Sequence, residues 1–238
     1  MVDGVPYYQV LTGKGDTSKT VMLGPDDVKH LVAIYDEAIT SADQQIGDLV
    51  AELKALGVYN KTIIIVTSEH GDMFGKYGRF MRGGPLQGTF YDDVLHIPLV
   101  IEGPNLPAKK IGGLAQQIDI LPTLLNLIGL RPTFPIEGKS LLPLINSNTP
   151  VNDYVYAGSN FGPRIGNVTF DKSKAESIRS LEWKLIKEKS KTGTHVELYN
   201  IKNDPQELQD LSTTDTAELG QLEQLLSIWS KSVGGSNK

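Results

Sequence analysis

Residues 60–72 read NKTIIIVTSEHGD. Thr62 to Thr67 are continuously apolar and β-branched. Such a run fits a strand covered on both faces, as in the centre of a parallel sheet. The strand stops at Ser68-Glu69-His70-Gly71. In open α/β sheets ligands collect beyond the carboxyl ends of strands. Glu69 offers hard oxygens and His70 a neutral nitrogen, and Gly71 permits the turn that would aim both at one ion. Two donors cannot hold a cation alone, because calcium takes six to eight oxygens and magnesium six ligands. The plain alternative, a turn held by local hydrogen bonds, is the more frequent use of an acid-histidine pair.

Upstream, residues 25–56 carry apolar side chains at Val28, Leu31, Val32, Tyr35, Ile39, Ala42, Ile46, Leu49, Val50, Leu53 and Leu56. That is one stripe at helical spacing. Pro25, Asp26 and Asp27 suit a first turn, and Gly57 suits the residue after the last. Helix, short turn and buried strand make an αβ unit. Residues 1–24 show no period and read as an irregular entry segment.

Downstream, residues 71–90 read as a Gly-rich loop carrying Tyr77 and Arg82, and residues 94–101, VLHIPLVI, as a second strand, with Pro98 pointing to an edge or a strand start. His96 reads as a packed strand residue, and Asp92 and Asp93 as a turn or cap. Residues 119–130 predict a short helix capped by Asp119 and ended by Gly129. After about residue 150 the pattern changes to short alternating strands and one closing helix, with Asp215 and Glu218 spaced as a capping box and Leu219, Leu222, Leu226 and Trp229 on its apolar face. This predicts residues 1–150 as an α/β domain portion and residues 151–238 as a small α+β subdomain with antiparallel strands.

Composition narrows the function. The 238 residues are 39% hydrophobic and 21% charged, which is ordinary for a globular chain. A net charge of -5, with no long run of either sign, argues against nucleic-acid or membrane-surface binding driven by bulk charge. There is no cysteine, so disulfides, thiolate zinc sites and cysteine nucleophiles are excluded within this sequence. No apolar run is long enough to span a bilayer, and the first residues lack a basic-then-apolar leader pattern. Compartment is left open.

Several stretches together resemble the sulfatase family of the alkaline-phosphatase-like superfamily. Residues 35–72 are similar to its long helix followed by a Ser-Asp-His-Gly strand end, and FYDDVLHIPLVIEGP to its next strand. IDILPTLLNLIGL, IEGKSLLPLI, EWKLIKEK and ELYNIKNDPQELQDL follow in family order, covering about residues 26–232. The resemblance implies a partial alkaline-phosphatase-like sandwich with a mostly parallel sheet. It implies that Glu69 and His70 help bind a divalent metal, calcium first and magnesium second. Arg82 would be the cationic catalytic group on the sulfate and would bind substrate together with Tyr77. The nucleophile would be a formylglycine made from Cys or Ser in a Cys/Ser-x-Pro-x-Arg motif. No such motif occurs here, so the chain resembles the C-terminal portion of a sulfatase, inactive alone, that needs an N-terminal portion or self-associates.

Glu69 stands where the family has aspartate, and Tyr77 and Arg82 where one branch has His-Gly pairs. Arg82 keeps the charge and can grip an oxyanion with two donors. A phosphodiesterase or phosphonate hydrolase of the same superfamily, and a non-catalytic pseudo-sulfatase, are the alternative readings. Family members are often periplasmic, secreted or lysosomal.

Overall fold

The computed structural model describes residues 8–11, 20–82, 90–160, 164–165, 168–169, 174–190 and 193–234. Contacts divide the chain into two compact units, residues 1–105 and residues 106–238.

In the first unit, β1 (Tyr8–Leu11) and β2 (Thr20–Leu23) form an antiparallel ribbon with Tyr8 opposite Leu23. The irregular entry segment therefore contains a local strand pair, because two short β-prone stretches can pair without any longer period. Helix α1 (Pro25–Ala55) follows, with Pro25 in its first turn. The Gly24 amide donates to the Asp27 carboxylate at 2.7 Å. Gly57 closes the end with φ 70°, a left-handed conformation that glycine adopts without steric cost.

None of the α1 side chains is buried. Ile39 and Leu49, both on the predicted stripe, are each 54% exposed. The stripe is real, but little of unit 1 covers it.

Strand β3 (Ile64–Thr67) pairs with β6 (Leu99–Glu102), with Ile65 opposite Ile101. The pairing is antiparallel, and so is every other strand pair among the described residues. The mostly parallel sheet expected from the β-branched run is thus not found among them. Nor is β3 covered on both faces as expected, since Ile64, Ile65 and Val66 are only half-buried and Thr67 is exposed; a β-branched run reports strand propensity, which specifies neither burial nor strand direction. Between β3 and β6 lie a small hairpin of β4 (Met73–Phe74) and β5 (Phe80–Met81) and the short helix α2 (Asp92–Leu95). The single strand expected over residues 94–101 is therefore split. Asp92 and Asp93 open a helical turn, His96 is exposed, and the ladder begins only after Pro98, which has no amide to donate.

The second unit begins with a 3₁₀ turn over Gln117–Asp119 leading into α3 (Ile120–Leu127). Asp119 stands at the N-cap position of α3 as the sequence predicts, but its side chain makes no cap bond to that helix. Its wholly buried carboxylate accepts from the amides of Gln116 (2.9 Å) and Lys139 (2.8 Å) and from Asn152 Nδ2 (2.8 Å). One side chain thereby ties together three separated segments. Helix α4 (Leu142–Ser147) follows.

A four-stranded antiparallel sheet then forms from β7 (Val155–Asn160), β10 (Lys174–Arg179), β11 (Trp183–Ser190) and β12 (Gly193–Asn200), in the order β12-β11-β10-β7. The ribbon β8 (Arg164–Ile165) with β9 (Val168–Thr169) lies between β7 and β10 in sequence. Register aligns Ile178, Leu185 and Leu198 across three strands. They pack with Leu222 and Leu226 of α5 (Thr216–Gly234) into a core of fully or almost fully buried side chains. The strands are antiparallel and closed by a helix as predicted, but the wet face that alternation implies is absent at the sheet centre, where Lys184 and Tyr199 on one face and Leu185 and Leu198 on the other are all buried.

Candidate functional site

The chain leaves β3 at Thr67 and turns through Ser68 to Asp72. Three contacts hold this turn. The Gly71 amide donates to the Val94 carbonyl at 2.8 Å. A Cβ added at Gly71 would lie 2.1 Å from the Asp93 carbonyl oxygen, so only glycine lets the turn sit this close to α2. His70 Nδ1 lies 2.8 Å from the Gly71 carbonyl oxygen. A carbonyl only accepts, so Nδ1 carries the proton, and in the neutral ring Nε2 keeps its lone pair.

That lone pair is the useful feature. Nε2 lies 3.5 Å from Glu69 Oε1. His70 is 27% and Glu69 82% exposed at the side chain, so the pair opens to solvent. Two acceptors facing each other at that separation suit adjacent ligands of one cation, and a backbone carbonyl fixing the far nitrogen is the usual support of a metal-binding imidazole. The residues thus fit part of a divalent-metal site. No group of three or more His, Cys, Asp or Glu that could hold a metal occurs among the described residues.

The β4–β5 hairpin returns the chain towards the turn. Met73 pairs with Met81, so Arg82 follows at the level of Asp72, two residues past His70. Arg82 is exposed, and no described hydrogen bond or ion pair joins it to Glu69 or His70. Tyr77 sits at the far end of the hairpin, 45% exposed and with φ 52°. Its ring packs on Tyr91 with centroids 4.9 Å apart and an interplanar angle of 35°. Glu69 and His70 are therefore brought together, Arg82 stands at the hairpin foot, and Tyr77 belongs to an aromatic pair.

Sequence reasoning missed Lys76 and the role of Asp93. Lys76 Nζ lies 2.5 Å from Asp93 Oδ2 and 5.5 Å from the centre of the Tyr91 ring. Nothing in the local pattern distinguishes this lysine from a solvated one. Its partner is 17 residues away and is met only because the hairpin folds onto α2.

An antiparallel C-terminal sheet closed by one helix, and a strand end presenting carboxylate and imidazole, mark the chain as α/β. Comparison makes the class specific. Residues 6–130 match the Sulfatase family profile, and residues 87–228 match the profile for N-sulphoglucosamine sulphohydrolase, C-terminal. The chain belongs to the sulfatase family, within the alkaline-phosphatase-like superfamily.

Similar curated proteins include arylsulfatase K of Rattus norvegicus, 28% identical over 212 residues that make up 88% of this chain and 36% of that protein. An arylsulfatase of Clostridium perfringens is 34% identical over 141 residues, 57% of this chain and 28% of that one. Among solved structures, a protein in complex with its substrate D-glucosamine-2-N,6-O-disulfate superposes with a TM-score of 0.70 at 23% identity, over 84% of this chain and 40% of that chain. A phosphonate monoester hydrolase from Silicibacter pomeroyi gives a TM-score of 0.72 at 22% identity, over 86% and 41%. At these identities the structures establish the shared fold. The chain spans between about a third and two fifths of the length of the arylsulfatase K relatives it matches.

Proposed function

We propose that the chain is the C-terminal portion of a sulfuric-ester hydrolase, contributing part of the metal and sulfate site to a complete enzyme. The observation that carries this reading is the turn after β3. It lies inside the Sulfatase match and presents His70 Nε2 and Glu69 Oε1 to one point of solvent 3.5 Å apart. In this reading Glu69 and His70 are metal ligands, for calcium first and magnesium second. Arg82 is the catalytic cation that neutralises charge developing on the sulfuryl oxygens, where a guanidinium offers two parallel donors. Tyr77 lines the substrate side. The bound cation would supply Lewis-acid polarisation and charge neutralisation.

The formylglycine nucleophile belongs to an upstream region that this sequence does not contain, so these 238 residues alone turn over no sulfate ester. An N-terminal portion is the partner this reading requires. In a first-unit helix without a buried residue, the exposed Ile39 and Leu49 are the surface such a portion would cover. The likeness to a phosphonate monoester hydrolase supports a second reading, phosphonate or phosphodiester hydrolysis on the same site. The upstream nucleophile decides between them.

A calcium titration of the purified chain, followed by the His70 ring resonances, tests the metal assignment. Saturable shifts that vanish in Glu69→Ala support it, and ring signals indifferent to calcium and magnesium overturn it. Hydrolysis of an aryl sulfate by the 238 residues alone would overturn the assignment of an upstream nucleophile.

A further inference from the structure

Asp93 touches both arms of the candidate site at once. Its backbone carbonyl is the wall against which Gly71 packs, with room for no Cβ at 2.1 Å. Its carboxylate receives Lys76 Nζ at 2.5 Å. The next residue, Val94, accepts the Gly71 amide, and the Tyr91 ring two residues earlier carries the Tyr77 ring. Residues 91–94 therefore anchor the turn bearing Glu69 and His70 and also the hairpin bearing Tyr77 and Arg82.

The hairpin needs such an anchor. Only two residue pairs make its ladder, and Gly75, Tyr77, Gly78 and Met81 all have φ between 52° and 90°. Left-handed conformations at non-glycine residues persist only where surrounding contacts impose them. The Lys76 side chain is 18% exposed and that of Asp93 36%, with two aromatic rings beside the ammonium, so solvent screens this pair less than an open surface pair.

We propose that Lys76 and Asp93 are positioning residues. Their ion pair clamps the β4–β5 hairpin to the segment that holds the Glu69–His70 turn, and so sets where Arg82 stands relative to the metal side. This rests on the proposed role of Arg82 only for its functional consequence; the clamp itself is a statement about the hairpin.

The test uses the whole chain and the variants Lys76→Met, Lys76→Arg, Asp93→Asn, the exchange Lys76→Asp with Asp93→Lys, and Arg82→Met. Two readouts are taken: amide hydrogen exchange, and binding of inorganic sulfate. Lys76→Met and Asp93→Asn are expected to speed exchange at the bonded amides of Gly75, Gly78 and Arg79 by about tenfold or more, with exchange in β10–β12 unchanged. Both should weaken sulfate binding severalfold while the calcium response of His70 persists. Lys76→Arg and the charge exchange should restore both.

Hairpin exchange unaltered in Lys76→Met overturns the clamp. So does loss in Lys76→Met that neither Lys76→Arg nor the charge exchange restores. If Arg82→Met leaves sulfate binding unchanged, the role proposed for Arg82 fails, and hairpin exchange still decides the clamp by itself.

Discussion

Lys184 and Glu207 form an ion pair at 2.7 Å with both side chains wholly buried in the C-terminal unit. Lys184 points from β11, on the opposite strand face from Leu185, and the loop after β12 folds back to reach it. The Asp204 carboxylate accepts the Gln209 amide at 2.8 Å, and Glu207 takes φ 55°. The Leu198 amide donates to Asp210 Oδ1 at 3.0 Å, and the Leu211 amide to the Leu198 carbonyl at 2.8 Å. The NDPQELQDL stretch is thus a strap whose acids do separate structural jobs.

Removing one partner of such a pair strands the other charge. Lys184→Met or Glu207→Gln is expected to destabilise the chain by about 3–5 kcal/mol. The double variant Lys184→Met with Glu207→Leu should recover much of that loss. Urea denaturation of the three variants measures the difference.

Gly71→Ala should misplace the turn after β3, because the new methyl would stand 2.1 Å from the Asp93 carbonyl oxygen. Overpacking of this kind costs about 1–3 kcal/mol, and here the strain falls beside His70. The expected result is a near-native C-terminal sheet by circular dichroism with loss of the His70 response to calcium.

Trp229 of α5 stacks on Tyr156 of β7 at 5.2 Å and 12°, over Gly158, where a Cβ would come within 2.9 Å of the indole edge. Trp229→Ala should cost about 3 kcal/mol or more by opening a cavity over the sheet. Gly158→Ala should cost less, because α5 can shift by a few tenths of an ångström. Thermal melts followed by tryptophan fluorescence for Gly158→Ala, and by far-ultraviolet dichroism for both, order the two.

Asp119→Asn keeps the shape of the side chain but turns one acceptor into a donor facing donors. Each orphaned buried group costs about 1–3 kcal/mol, so a loss at the upper end of that range is expected. A chemical-denaturation midpoint equal to the parent's would show that the three segments are held by other contacts.

Ile39→Glu with Leu49→Glu should reduce self-association of the isolated chain without changing its helicity, since both positions are 54% exposed on an apolar stripe. Light scattering with dichroism checks both halves of that expectation.

The legible parts of the fold were those with local causes. The limits of α1 follow from Pro25, Asp27 and Gly57, and the alternation of VELYNI marks β12 as a strand, although both Leu198 and Tyr199 on its two faces are buried. The Ser-Glu-His-Gly strand end was legible as a turn after β3, because Gly71 permits the close approach to α2. Asp119 was legible as an acid beside a helix but not as a hub, since Lys139 and Asn152 lie 20 and 33 residues further on. Lys76 was invisible for the same reason.

By itself, then, the amino-acid order determined the long helix α1, the family and the antiparallel C-terminal strands with their closing helix, because hydrophobic period, capping and side-chain type act over a few residues. Only the tertiary structure decided the antiparallel pairing of β3 with β6, the burial of Lys184 against Glu207 and the meeting of Lys76 with Asp93. Each of these depends on which distant segment arrives alongside, and that is settled by packing the whole unit.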